Sequence, residues 1–308
     1  MGMDREILVV DGGFGFVKWF YKGNVGKFRS CYKRMGDEWV FGEKALLETG
    51  SRYLRTVDEL VEIYPLIVKE VERRAKANER DICCVGLPLS VFEGDSFADF
   101  QAILDAKLKR IGYREVYVLP QGLGGIKWFL KGRGDFEGNI LGIDIGFNTV
   151  IVVLYSVREK EILIARTYYK KGVYDLVVSL LMPRIKKFIG ERTLTPIELN
   201  YLMEHKKLQI GFDVIDLAPE VDESVAEYVE DLLKFIINDV KASIGVVPFE
   251  VVVFMGGGAN WLRDRVEAKK VEIVILENSE FANVYGFYEK VKEIVERKER
   301  ELIEMTDG

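Results

Sequence analysis

Two aspartates stand in the same short pattern in different halves of the chain. Asp11 and Asp144 each follow an apolar run and open the sequence Asp-x-Gly-Phe-x-x-Val, which a second apolar run continues. Each copy predicts a β-hairpin with a tight glycine turn and a carboxylate at the end of its first strand. One such copy is most often an ordinary hairpin, but two matching copies favour a shared chemical role.

The chemistry that suits such a pair is the binding of a polyphosphate. Two facing glycine turns would offer backbone N–H groups to the phosphates from both sides, and two carboxylates would hold the waters of a bridging magnesium ion. Lys18 leaves the first turn and would add a point charge at the β- or γ-phosphate. The alternative for Lys18 is a lysine that blunts a strand edge. The repeat therefore predicts a nucleotide clamp.

A third glycine cluster follows a predicted buried strand in the second half. Gly256, Gly257 and Gly258 come directly after the apolar run 251–255 and before a helix start, where backbone can approach a ligand closely. Three glycines alone most often form only a turn. The chain contains no G-x-x-x-x-G-K-[ST] loop and no complete G-x-G-x-x-G fingerprint, which removes the main support for a P-loop or Rossmann protein.

Charge and composition exclude several other classes. The 308 residues carry 44 Lys and Arg against 50 Asp and Glu, a net charge of −6, which argues against a surface that tracks DNA directly. The single histidine, His205, cannot supply a His-rich metal site or a Ser-His-Asp triad. Three cysteines without a C-x-x-C pair predict a reducing compartment. No apolar stretch approaches the ~18 residues of a membrane span, so we expect a cytoplasmic protein without membrane contact.

Short β-branched runs alternate with helical patterns in both halves, which is typical of an α/β protein. The predicted strands are 7–10, 16–21, 81–87, 116–119, 140–145, 150–156, 162–169, 251–255 and 272–275. Helical spacing of apolar residues predicts a helix over 57–71 with a kink or break at Pro65, one over 225–240, and a final helix that Ser279 caps. No flexible linker divides the chain, so two domains would be joined by hinges.

Five segments resemble, in order, the motifs of the actin-like ATPases, a superfamily that also contains sugar kinases and the seventy-kilodalton heat-shock chaperones. Residues 11–18 and 144–149 resemble the two phosphate motifs, and 253–259 the adenosine motif. Residues 119–125 and 281–287 are similar to the two connecting segments. The resemblance spans residues 7 to 288 and, with Val-Gly-Leu-Pro at 85–88, looks most like the ParM/StbA plasmid-segregating group and its archaeal relatives.

The resemblance implies an actin-like ATPase fold with two ribonuclease-H-like domains around a nucleotide cleft. Domain I would comprise residues 1–135 plus 279–308, and domain II residues 136–278. ATP or GTP would bind with Mg²⁺, which Asp11 and Asp144 would hold through water. The nucleotide-binding residues implied by the motifs are Gly12, Gly13, Phe14, Gly15, Lys18, Gly146, Phe147, Asn148, Thr149, Gly256, Gly257, Gly258 and Asn260.

The same resemblance implies a mechanism and partners. Gln121 would act with Asp11 and Asp144 as a catalytic residue, since it occupies the place from which a side chain orients the attacking water. Without the resemblance it would be an uninvolved residue near a helix start. An amide is not a strong base, so we expect a slow ATPase that accelerates on assembly. Members of this group polymerise, and the plasmid members move DNA through an adaptor protein bound at a centromere-like site, so the expected partners are further copies of the chain and such an adaptor.

Two departures and two alternatives stand beside this interpretation. Many relatives have a hydroxyl residue where this chain has Phe14, and many have an acidic residue where it has Ile151, so nucleotide sensing and metal coordination are expected to differ. A sugar or acid kinase of the same superfamily would need a carboxylate base, against which Gln121 argues. A non-hydrolysing, non-polymerising scaffold is the other alternative, against which the intact Asp11 and Asp144 argue.

Overall fold

Strands and helices alternate along the computed structural model, which describes residues 5–244, 248–263, 266 and 271–306. The strands are β1 (Ile7–Gly12), β2 (Phe16–Tyr21), β3 (Asn24–Arg29), β4 (Cys31–Met35), β5 (Glu38–Phe41), β6 (Arg52–Tyr53), β7 (Ile82–Leu87), β8 (Glu115–Pro120), β9 (Asn139–Ile145), β10 (Thr149–Ser156), β11 (Glu161–Tyr169), β12 (Lys207–Ile210), β13 (Asp213–Asp216), β14 (Val251–Met255) and β15 (Glu272–Ile275). The helices are α1 (Glu43–Leu46), α2 (Val57–Ala75), α3 (Leu89–Phe92), α4 (Phe97–Arg110), α5 (Leu123–Lys131), α6 (Val173–Asp175), α7 (Met182–Ile189), α8 (Pro196–His205), α9 (Ala218–Ile244) and α10 (Ala282–Thr306). A π-helical segment covers Leu176–Leu181, and 3₁₀ turns cover Gly257–Leu262 and Ser279–Phe281.

Two five-stranded sheets have the same strand order and the same strand directions. The first is ordered β3-β2-β1-β7-β8 and the second β11-β10-β9-β14-β15. In each sheet the first three strands of the order are antiparallel and the last two are added in parallel. The repeat at Asp11 and Asp144 therefore begins two equivalent α/β units, and the predicted hairpins β1–β2 and β9–β10 are confirmed.

Every predicted strand is present, with small differences at the ends. The apolar runs are buried as the interior strands of a sheet covered on both faces should be, and β1 and β7 are buried at every position. Cys83 and Cys84 lie in β7, where burial raises the pKa of both thiols. They therefore act as small buried hydrophobes rather than as reactive groups.

Strand register sets two equivalent rows of side chains. On the first sheet Asp11 pairs with Lys18, which pairs in turn with Lys27. On the second sheet Asp144 pairs with Ile151, which in turn pairs with Thr167. Directly paired residues face the same side of a sheet, so the first row carries cations beside its carboxylate and the second row carries none.

Helix α2 begins at the Thr56 cap, whose hydroxyl oxygen accepts from the Glu59 N–H at 3.2 Å. It continues through Pro65 to Ala75, so the break that the sequence allowed does not occur. Proline in a helix interior costs about 3 kcal/mol, which burial of several large side chains at roughly 1.5–3 kcal/mol each can offset. The buried stripe comprises Leu60, Val61, Ile63, Tyr64, Ile67, Val68 and Val71.

The two helices that connect the sheets cross at glycines. Helix α5 follows β8 of the first sheet, yet its Ile126 joins the core beside β9 and β14 of the second. Helix α10 follows β15 of the second sheet, yet its Val284 joins the core beside β1 and β7 of the first. A Cβ on Gly286 would lie 1.7 Å from the Gly124 carbonyl oxygen, so this crossing requires glycine. The domain boundaries at 135/136 and 278/279 stay a prediction.

The prediction that Ser279 caps the last helix is wrong. Ser279 begins a 3₁₀ turn, and its hydroxyl donates to the Gly256 carbonyl oxygen at 3.0 Å, while α10 starts at Ala282. The sequence prediction also omitted β3, the small sheet β5-β4-β6 and the hairpin β12–β13, whose strands are short or partly exposed. Among the residues that the structure describes, no helix combines the length and apolar character needed to cross a membrane.

Candidate functional site

A cleft of about 630 Å³ lies between the two hairpin turns. A Cβ on Gly15 of the first turn would lie 2.6 Å from the Phe147 Cβ of the second, so the turns contact each other. The predicted site residues that line the cleft are Asp11, Gly13, Phe14, Gly15, Lys18, Gln121, Asp144, Gly146, Phe147, Asn148, Thr149, Gly257, Gly258 and Asn260. The fold thus brings residues from four distant segments to one place, and their role in binding stays a prediction.

Asp11 is the last residue but one of β1 and is 2% exposed. Its Oδ1 accepts a hydrogen bond from Gln121 Nε2 at 2.6 Å, and its Oδ2 lies 3.9 Å from Lys18 Nζ. Gln121 comes directly after β8, which is parallel to β1 and separated from it by β7 in the first sheet. Because these strands are parallel, their carboxyl ends lie at the same edge of the sheet, and the Gln121 amide is placed beside the Asp11 carboxylate.

Asp144 occupies the equivalent place on β9 and is 7% exposed. Burial raises the pKa of its carboxyl group, and the negative charge of Asp11 adds to this effect. The Lys18 charge and a hydrogen bond from Asn283 oppose it. The two carboxylates therefore interact across the cleft and share Lys18 as a cation.

Asn283 is a site residue that the sequence analysis did not name. Its Nδ2 donates to Asp144 Oδ2 at 2.8 Å, and its Oδ1 accepts from the Gly122 N–H at 3.0 Å. It lines the cleft from the first turn of α10. The signal that could have found it is its place in the second connecting segment, since Gln121 lies in the first.

Gly12 and Gly256 stand behind the cleft rather than on its lining. The Gly12 N–H donates to Tyr64 Oη at 2.9 Å, and that hydroxyl donates to the Gly86 carbonyl oxygen at 2.7 Å. Gly256 has φ +84°, and a Cβ there would lie 2.2 Å from Asp144 Oδ1. Glycine at 256 therefore allows the backbone to support the carboxylate directly.

The second turn is fixed from behind by the segment that follows β11. The carbonyl oxygens of Gly146, Phe147 and Asn148 accept from backbone N–H groups at residues 173, 174 and 170, at 3.1, 2.7 and 2.7 Å. The Gly146 N–H closes the turn on the Thr149 carbonyl oxygen at 2.8 Å. This turn is therefore rigid before any ligand binds.

The lining of the cleft combines cations of the first half of the chain with apolar side chains that come mostly from the second half. Lys18, Lys27 and Arg29 line it from β2 and β3, and Lys27 forms an ion pair with Glu280 at 2.5 Å. Phe14 and Phe16 are apolar lining residues of the first half. The apolar lining from the second half comprises Ile151, Val173, Val177, Leu194, Leu199, Met203 and Trp261. Such a division suits a ligand with phosphates at one end and a ring at the other.

The residues of the cleft fit magnesium held through water. In the described part of the chain no three His, Cys, Asp or Glu side chains group around one point, so a cage made of protein ligands alone is not offered there. Mg²⁺ usually keeps several waters and is bound by one or two carboxylates together with substrate phosphates. Asp11 and Asp144 are carboxylates of this kind on opposite sides of one cleft.

Two equivalent sheets around one cleft define the actin-like ATPase fold, as the sequence motifs predicted. The archaeal actin homologue Ta0583, solved in complex with ADP, is 19% identical over 94% of this chain and 99% of its own, with a TM-score of 0.72. A ParM from Clostridium botulinum, solved as a 15-stranded filament, is 19% identical over 94% of this chain and 100% of its own, with a TM-score of 0.71. MreB 5 of Spiroplasma citri bound to AMPPNP is 15% identical over 96% of this chain and 100% of its own, with a TM-score of 0.69.

These identities show the fold and not the activity. No protein-family model matches the chain. No curated protein sequence matches it either. The similarity to known proteins is therefore one of three-dimensional structure, and the residues of the cleft carry the information about function.

Proposed function

We propose that the chain is an actin-type ATPase that binds ATP, or GTP, with Mg²⁺ in the cleft and hydrolyses the γ-phosphate. The observation that carries the proposal is the pair of buried carboxylates, Asp11 and Asp144, at equivalent ends of a repeated hairpin and beside one lysine, Lys18. Carboxylates, a lysine and glycine turns match the charges of a magnesium–polyphosphate. The ADP and AMPPNP complexes of similar folds support an adenine nucleotide.

The metal would lie with the carboxylates and the phosphates. Asp11 and Asp144 would hold it through water, and a bound Mg²⁺ would neutralise charge on the phosphates. Lys18, held 3.9 Å from Asp11 Oδ2, would contact a phosphate oxygen when the nucleotide is present. Lys27 and Arg29 add positive potential at the same end of the cleft.

Gln121 is suited to hold the attacking water. A carboxylate only accepts hydrogen bonds, so the 2.6 Å contact with Asp11 fixes Nε2 as the donor and leaves Oε1 as an acceptor. An acceptor oxygen in this cleft can orient one O–H of a water toward the γ-phosphorus. Because an amide gains no proton in this role, catalysis rests on positioning and charge stabilisation, and turnover is expected to be slow.

Assembly is the second part of the proposal. The ParM filament of similar fold supports a polymer of this chain, in which nucleotide bound between the two sheets would couple hydrolysis to assembly. The net charge of −6 supports indirect contact with DNA, through an adaptor protein at a centromere-like site, as the ParM resemblance implies. The cargo would be a plasmid or other DNA.

Replacing one carboxylate tests the proposed chemistry. Purified protein is expected to bind ATP with Mg²⁺ and to release phosphate slowly. Asp144→Asn removes a charge while keeping the side-chain shape, and we expect phosphate release to fall about a hundredfold. Binding of a fluorescent nucleotide and phosphate release measure the two steps separately.

The matched control is Asp213→Asn on the exposed strand β13, which should retain wild-type release. Full phosphate release by Asp144→Asn would contradict the assignment of the second hairpin as the phosphate site. Failure of the wild-type chain to bind either ATP or GTP would sink the proposed function as a whole.

A further inference from the structure

Asn283 makes two buried hydrogen bonds to groups on opposite sides of the site. Its Nδ2 donates to the Asp144 carboxylate of the second sheet, and its Oδ1 accepts from the Gly122 N–H, directly after Gln121 of the first sheet. Asn283 is itself only 7% exposed. One carboxamide thus joins Asp144 to the turn that carries Gln121.

The chemistry of the two partners fixes the orientation of the amide. A carboxylate needs a donor, which the Asn283 NH₂ group supplies, and a backbone N–H needs an acceptor, which its carbonyl oxygen supplies. Neither aspartate nor a shorter side chain can satisfy both. A buried amide whose N–H and C=O groups are both hydrogen-bonded is held rigidly. Removing it leaves its buried partners without hydrogen bonds, which costs free energy.

The internal repeat gives this contact a counterpart. On the first sheet the loop after β8 returns the Gln121 amide to Asp11 at 2.6 Å. On the second sheet the segment after β15 returns the Asn283 amide to Asp144 at 2.8 Å. Each repeated carboxylate therefore accepts one amide from the connecting segment that follows the fifth strand of its own sheet.

We propose that Asn283 is a positioning residue for hydrolysis, which holds the Asp144 carboxylate and the Gln121–Gly122 turn in one fixed arrangement. The inference rests on the nucleotide hydrolysis proposed above. Asn283 acts through Asp144 and Gln121. Loss of its side chain would misplace the water that Gln121 orients and would leave the Asp144 carboxylate without this hydrogen-bond donor. Because the reacting groups must be held closely, a small displacement has a large effect on rate.

The groups facing Asp144 determine what a substitution does to it. Lys18 on β2 lowers the pKa of this carboxyl, Asp11 on β1 raises it, and the Asn283 hydrogen bond lowers it. Its cross-strand partner on β10 is the uncharged Ile151, and the backbone of Gly256 packs against Oδ1 from the end of β14. Removing the Asn283 donor therefore takes away the hydrogen bond that Asp144 Oδ2 accepts.

Two variants separate the two hydrogen bonds. Asn283→Asp keeps an oxygen for the Gly122 N–H but replaces the donor to Asp144 with a like charge, and Asn283→Ala removes both contacts. We expect kcat for phosphate release to fall about tenfold or more in each, with KM for ATP within about threefold of wild type. A fall in kcat at a nearly unchanged KM is the result expected of a positioning residue, since a variant that had merely lost its fold would lose nucleotide binding as well.

The matched control lies on the same helix pair. Glu293 of α10 forms an exposed ion pair with Lys127 of α5 at 2.5 Å, and Glu293→Gln should leave kcat and KM unchanged. Wild-type kcat in a folded Asn283→Asp and in a folded Asn283→Ala would overturn the inference and leave the proposed ATPase standing. A wild-type chain that binds nucleotide without hydrolysing it would overturn the proposed function instead.

Discussion

Asp11 and Asp144 have the same sequence pattern but different surroundings. Asp11 has a lysine beside it and accepts from Gln121, whereas Asp144 accepts from Asn283 and lies opposite an isoleucine in its hairpin. Burial raises the pKa of Asp144 with only partial compensation from the distant Lys18. The two carboxylates are therefore not interchangeable, since they differ in hydrogen-bond donor and in cross-strand partner.

A substitution at Gln121 should slow nucleotide hydrolysis without weakening nucleotide binding. Gln121→Ala removes the oxygen that orients the water but leaves both carboxylates, so nucleotide affinity should change little while phosphate release falls about a hundredfold. Single-turnover phosphate release and nucleotide titration check the two effects. Gln101→Ala, at an exposed position on α4, is the control, and unchanged release in Gln121→Ala would remove the assignment.

The crossing of α5 and α10 is the element on which the geometry of the site depends. Gln121 and Gly122 lie directly before α5, and Asn283 lies in the first turn of α10. The distance between these groups is therefore set by how closely the two helices approach. That approach is set in turn by Gly286 against Gly124.

Gly286→Ala should lower the free energy of unfolding by about 2 kcal/mol or more, because overpacking forces the helices apart. In an ordinary exposed helix the same change would stabilise the protein by about 1 kcal/mol. The sign of the change in the free energy of unfolding therefore shows whether the crossing is tight. Urea denaturation followed by circular dichroism measures it. Gly134→Ala is the control, since a Cβ there meets nothing within 4 Å, and a stabilised Gly286→Ala would show that the crossing is not tight.

The elements that the sequence predicted well are those with a local signal. Buried strands are apolar runs, and both hairpins are marked by Asp-x-Gly, so the two sheets and the carboxylates could be placed before the structure was known. The contacts of Asn283 could not, because they join residues 139 and 161 positions apart. The continuity of α2 through Pro65 likewise depends on burial against the first sheet, which no local pattern encodes.

At the scale of the whole molecule the cleft is lined from both sheets, so a bound ligand contacts both halves at once. Binding can therefore change how the halves are held relative to each other, and with them the interface of the proposed polymer. Sedimentation should yield polymer with Mg²⁺ and ATP or GTP and little polymer without nucleotide. The Asp144→Asn variant should form polymer that disassembles more slowly, because its nucleotide is not hydrolysed.

Light scattering over a range of protein concentrations gives the same comparison in time. A lag that shortens with concentration would indicate nucleated assembly. No pelletable polymer with either nucleotide at any concentration would contradict self-assembly, and would leave the hydrolysis proposal to be judged on phosphate release alone.

The two rows of paired side chains, one on each sheet, affect the orientation in which a ligand can bind in the cleft. If the two hairpins were identical, a polyphosphate could bind with its terminal group toward either half of the chain. The two orientations would have equal free energy. Here Asp11, Lys18 and Lys27 stand opposite Asp144, Ile151 and Thr167. The two units thus share a topology but differ in charge, and this difference gives the cleft a polarity that shape alone does not supply.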